Sequence, residues 1–152
     1  VLRAFSVSTT PTQSEADALL AMEKLAADQV VYVFPYTGGK IVVPLESRDK
    51  RESFLMSVNR KRIVLTTSYQ TRARGEVVLA RLDFAAPHRN PDGEEIGVPH
   101  LHLYREGAAD QWAIAVPEGI LSDETDGWQV LQDFMRFCNV VEKPNIVQEL
   151  LK

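Results

Sequence analysis

Arg81-Leu82-Asp83-Phe84 and Val98-Pro99-His100-Leu101-His102-Leu103-Tyr104 set the strand pattern of this chain. Both alternate polar and apolar residues with period two, as a strand does when it buries one face. Arg81 and Asp83 share one face of the first stretch. His100, His102 and Tyr104 share a face of the second, with Leu101 and Leu103 opposite. The simplest arrangement makes them antiparallel neighbours joined by an irregular loop from Pro87 to Pro99, in which Asn90-Pro91-Asp92-Gly93 is a turn sequence. If the polar faces coincide, Arg81, Asp83, His100, His102 and Tyr104 converge, and the loop folds His88, Arg89, Asn90 and Asp92 over them. All three histidines of the chain fall in this block, within fifteen positions.

Working outward, Ile63–Thr71 and Val77–Phe84 read as strands. Phe54, Met56 and Val58 alternate with Ser53, Leu55 and Ser57 in another. Val30–Pro35 and Lys40–Leu45 look like a hairpin turned by Tyr36-Thr37-Gly38-Gly39. His100–Arg105 and Trp112–Val116 are two short further strands. Thr12-Gln13-Ser14-Glu15 has capping-box spacing, and the apolar stripe Ala16, Leu19, Leu20, Met22, Leu25, Ala26 predicts a helix to about Ala27. Ser122-Asp123-Glu124 opens a second helix, buried through Trp128, Leu131, Phe134, Met135 and Cys138. Pro144 starts a short third helix with Ile146, Val147, Leu150 and Leu151. The expectation is a single α+β domain over residues 1–152. An antiparallel sheet of six or seven strands is packed by an N-terminal helix and two C-terminal helices.

The chain has 152 residues and a net charge of −4, unevenly spread: −2 over residues 1–47, +6 over 48–89 and −8 over 90–152. The basic middle third supplies a candidate phosphate-binding face, although an acidic protein gains little long-range steering toward nucleic acid. No apolar run approaches the roughly 20 residues that span a bilayer, and the first residues lack a secretory pattern. A cytoplasmic protein without membrane contact is expected. Cys138 is the only cysteine, so it reads as a buried structural thiol.

Three chemistries suit the histidine block. The first is metal-free acid–base cleavage of a phosphodiester. Histidine titrates near neutrality, so His88, His100 and His102 would move protons. Asp83 would orient an imidazole, Arg81 would neutralise developing charge, and Tyr104 would complete the set. Arg89, Asn90, Asp92, Arg60, Arg62, Arg72 and Arg74 would hold the RNA, and no cofactor is needed. The second is a divalent transition metal held by His100, His102 and Glu106, with His88 or Asp83 to complete the set, since His-x-His-x3-Glu places its ligands on one face of an extended strand. The third is a non-catalytic module that recognises a partner protein.

The segment from about Phe54 to Ala113 resembles a family of small uncharacterised bacterial and phage proteins. The likeness is carried by Arg81-Leu82-Asp83, His88-Arg89-Asn90-Pro91-Asp92-Gly93, Pro99-His100-Leu101-His102-Leu103-Tyr104-Arg105-Glu106 and Trp112-Ala113. A more distant likeness is to TumE-type toxins, related to the RelE/ParE group, through Arg81, Asp83, His88, His100 and His102. That resemblance implies an endoribonuclease that acts on RNA or at the ribosome and pairs with an antitoxin-like protein. On it rests the leading expectation of a toxin-like ribonuclease.

Overall fold

The computed structural model describes residues 10–36, 38–60 and 67–149. In chain order the elements are α1 (Gln13–Ala21), β1 (Lys24–Ala26), β2 (Tyr32–Val33), β3 (Gly39–Glu46), β4 (Ser53–Arg60), β5 (Thr67–Ala73) and β6 (Val77–Asp83). There follow β7 (His88–Arg89), β8 (Glu95–Ile96), β9 (His100–Leu103), β10 (Ala113–Ala115), α2 (Gly127–Phe137), β11 (Val140–Glu142) and β12 (Ile146–Val147).

The α+β class holds, and the sheet is larger than expected. Eight strands run in the order β10-β9-β6-β5-β4-β3-β1-β11, antiparallel except for the parallel pair β1 and β11. Because the pairs lie in direct register, alternation in each strand becomes rows across the sheet. One row runs Ile41, Val58, Tyr69, Leu82, Leu101, Ile114. The rows on either side of it point to the opposite face: Lys40, Asn59, Ser68, Asp83, His100, Ala115 on one flank and Val42, Ser57, Gln70, Arg81, His102, Ala113 on the other.

Both helices cover the apolar face. Ala16 and Leu19 of α1, and Val130, Leu131, Phe134 and Met135 of α2, join Val43, Met56, Tyr69, Leu82 and Leu101 in one buried cluster. The Thr12 hydroxyl caps α1 by accepting from the Glu15 amide. The opposite face carries the polar rows, and the small β7–β8 hairpin accompanies them at the β9 end.

Four expectations are corrected. The first helix stops at Ala21, and Lys24–Ala26 instead forms a strand between β3 and β11. The Lys24 ammonium is fully buried and donates to the carbonyls of Leu20, Met22 and Cys138 at 2.8, 2.9 and 2.7 Å, tying together the C-terminal ends of both helices. Burial lowers its pKa to about 8, while Cys138 opposes that shift.

Second, Tyr32–Val33 does not pair with β3, whose two edges are taken by β4 and β1; it pairs in parallel with β12. Third, α2 starts at Gly127 with Asp126 as its cap, because Ser122 is committed to Asp133. Fourth, there is no third helix among the described residues. Val140, Val141, Ile146 and Val147 are β-branched and form strands on either side of Pro144. Residues 63–66 of an expected strand and 150–151 of the expected final helix lie outside the described residues.

Candidate metal centre

The β6–β9 register pairs Asp83 with His100 and Arg81 with His102, as the period-two pattern requires. His100 and His102 are 2% and 1% exposed. The imidazole of His88, at the foot of the hairpin, stands beside them, its ring centroid 4.5 Å from that of His102 and 5.7 Å from that of His100.

Each imidazole is fixed by a main-chain carbonyl. His100 Nδ1 lies 2.9 Å from the Gly97 oxygen, His102 Nδ1 2.8 Å from the Asp110 oxygen, and His88 Nε2 2.8 Å from the Gln111 oxygen. A carbonyl only accepts, so each of these nitrogens carries the proton and donates it. In the neutral rings the lone pairs then sit on His100 Nε2, His102 Nε2 and His88 Nδ1. His100 Nε2 and His102 Nε2 approach Asp83 Oδ2 to 3.7 and 3.4 Å. One ligand atom from each of Asp83, His100 and His102 lies within 4.8 Å of the others.

Arg81 enters the same space. Its Nε donates to Asp83 Oδ2 at 2.9 Å, its Nη1 bonds Asp110 Oδ2, and its Nη2 is 3.2 Å from His102 Nε2. The guanidinium has no lone pair to offer, so its contact with His102 uses the imidazole's bare nitrogen. Burial would raise the Asp83 pKa. The adjacent His102 ring, hydrogen bonds from Arg81 and Ser68 and the charge of Arg81 together outweigh burial and hold it at about 2. Burial lowers the His100 pKa below its usual value, and the neighbouring His102 and His88 add to this. The Gly97 carbonyl and Asp83 work the other way.

Several residues expected here lie elsewhere. Tyr104 does not face the histidines. Strand β9 ends at Leu103, the backbone turns into the Arg105–Ala109 bridge, and parity is lost. The Tyr104 ring joins the core beside α1, its hydroxyl donating to the Pro11 carbonyl at 2.7 Å. Glu106 follows it around the same turn, its amide donating to Gln13 Oε1 at 3.0 Å. It lines a cavity of about 470 Å³ against α1 together with Leu101 and Leu103, the apolar side of β9.

Asn90 is buried. It exchanges two hydrogen bonds with the main chain of Ala113, at 2.8 and 2.9 Å, and so seals the outer edge of β10 and seats the hairpin. Asp92 accepts from the Glu94 amide in the turn, where Gly93 has φ 91°. Arg89 is exposed on β7, opposite Glu95. Arg60 stacks over Phe34 and Tyr36. Arg72 reaches Gly75 and Ser57, and Arg74 pairs with Glu52. Arg62 lies outside the described residues. Among the described residues, Arg60 on β4, Arg72 on β5, Arg74 just beyond β5 and Arg89 on β7 make these separate contacts and none is hydrogen-bonded to a histidine.

Asp110 is the residue that sequence reading missed. Its side chain holds Arg81 and its carbonyl holds His102. The signal was the β9–β10 hairpin itself: pairing Ala113 with His102 folds the preceding turn, and Asp110 with it, back toward β9.

No curated protein and no solved structure matches the chain. A family described only as of unknown function, DUF6978, matches residues 12–140, a span that holds α1, most of the sheet, α2 and the whole Asp83–His88–His100–His102 group. The chain belongs to that family.

Proposed function

We propose that this protein binds a divalent transition metal through Asp83, His100 and His102, with His88 beside the remaining coordination position. One observation carries the reading. The Nε2 atoms of His100 and His102 stand 3.7 and 3.4 Å from Asp83 Oδ2, too far for good hydrogen bonds. Four ligands at about 2.0–2.1 Å around a tetrahedral ion sit about 3.3 Å from one another. The histidine tautomers support the same reading, since metal-ligating imidazoles nearly always donate their other ring N–H to a carbonyl, carboxylate or water. Two imidazoles and a carboxylate suit zinc or iron(II) better than calcium or magnesium, which prefer oxygen. Glu106, part of the set read from sequence, is replaced in this proposal by Asp83.

The metal-free ribonuclease reading has less support. An acid–base pair must reach the scissile phosphate, yet His100 and His102 are almost wholly buried and Arg81 is engaged by two carboxylates. Protein purified without chelator and dialysed against Zn²⁺ is expected to retain about one equivalent by elemental analysis. His100→Ala and His102→Ala should each weaken binding by at least the roughly 100-fold that loss of an outer-sphere partner can cause. Wild-type protein that retains no metal above the level of either variant would overturn the proposal.

A further inference from the structure

The guanidinium of Arg81 stands where the charge of a metal would be felt: on Asp83 Oδ2 through Nε and on the His102 Nε2 lone pair through Nη2. Both residues belong to the ligand set. Only the third contact, Nη1 to Asp110, lies outside that set. We propose that Arg81 is a resident cation that exchanges with the metal: the incoming ion takes Asp83 and His102, and Arg81 is handed over to Asp110. The inference rests on the metal-binding reading above and adds how that site is regulated and what it selects.

The charges make the exchange selective. Arg81 cannot lose its proton at any physiological pH, so the competitor is permanent and does not titrate away. A monovalent ion brings no more charge than the guanidinium it must displace and forfeits the fork-shaped hydrogen bonds. A divalent ion doubles the attraction to Asp83 at the same distance. Asp110 keeps the displaced guanidinium from being left unpaired next to the ion. It is already in contact, so the side chain needs to release two partners and find no new one.

Zn²⁺ affinity measured at neutral pH by competition with a chromophoric chelator tests this. Arg81→Gln removes the competitor and keeps a polar side chain, so it should bind Zn²⁺ about tenfold or more tightly than wild type. Arg81→Lys keeps the charge and should stay near wild type. Asp110→Asn removes the acceptor for the displaced guanidinium; it should weaken binding in the wild-type background and leave the Arg81→Gln protein unchanged. That double-mutant comparison distinguishes exchange from a general loss of fold. Wild type that binds Zn²⁺ while Arg81→Gln binds equally or more weakly overturns the exchange and leaves the metal site standing. Zn²⁺ binding by neither protein overturns both.

Discussion

Asp83→Ala is expected to destabilise the metal-free protein by about 3 kcal/mol, read from urea unfolding at neutral pH. Asp83 accepts from Arg81 and interacts with His102 and Ser68. Its removal leaves a half-buried guanidinium and two imidazoles facing an emptied position. Arg81 keeps Asp110, which places the loss at the lower end of the range for breaking a buried ion pair. The pH dependence has a definite sign. The folded-state pKa of about 2 lies below the ordinary 3.8, so the contribution is fully present above pH 3.8 and is lost as the pH falls through 2. That shift corresponds to about 2 kcal/mol. The stability gap between wild type and Asp83→Ala should therefore narrow by about that amount on acidification from pH 5 to 2. A gap that stays constant would contradict the assignment of Asp83 as the ionised hub.

Asp133→Ala should cost about 3 kcal/mol, because its carboxylate accepts four hydrogen bonds, each stronger for being made to a charge. Oδ2 takes the amide and hydroxyl of Ser122, both at 2.9 Å, and Oδ1 takes Gln129 at 3.0 Å and Arg136 at 2.8 Å. The Asp133 side chain is wholly buried although Arg136 is 64% exposed, so the Ser122 amide and not the surface cation is the partner that suffers most. For a chain of this length the loss corresponds to a fall in Tm of roughly 10 °C. Arg136→Ala, which removes one exposed donor, should cost at most about 1 kcal/mol. Equal effects from the two substitutions would mean that the loop before α2 is not anchored through Asp133.

The centre of the sheet could be read because its alternation is strict. Phe54, Met56 and Val58 lie buried in β4, and the Arg81/Asp83 and His100/His102 faces meet in register, as period two demands. The margins could not be read that way, because there tertiary partners outweigh local pattern. Leu25 and Ala26 fit a helical stripe, yet β3 and β11 offer them strand partners. Ser122 has the chemistry of a helix cap, but Asp133, eleven residues along, captures it. Tyr104 keeps its parity on paper and loses it at a turn only one residue beyond the strand. Asp110 joins the centre through a hairpin whose closure depends on the register of β9 with β10, and no short motif records that.

The proposed metal-binding set of Asp83, His100 and His102, guarded by Arg81, can be seen in a crystal. Anomalous diffraction from crystals equilibrated with Zn²⁺ tests it most directly. A peak is expected bonded to Asp83 and to Nε2 of both histidines at about 2.0–2.2 Å, with Arg81 turned onto Asp110. Crystals that show no peak there, with the guanidinium still on Asp83 and His102, would contradict it.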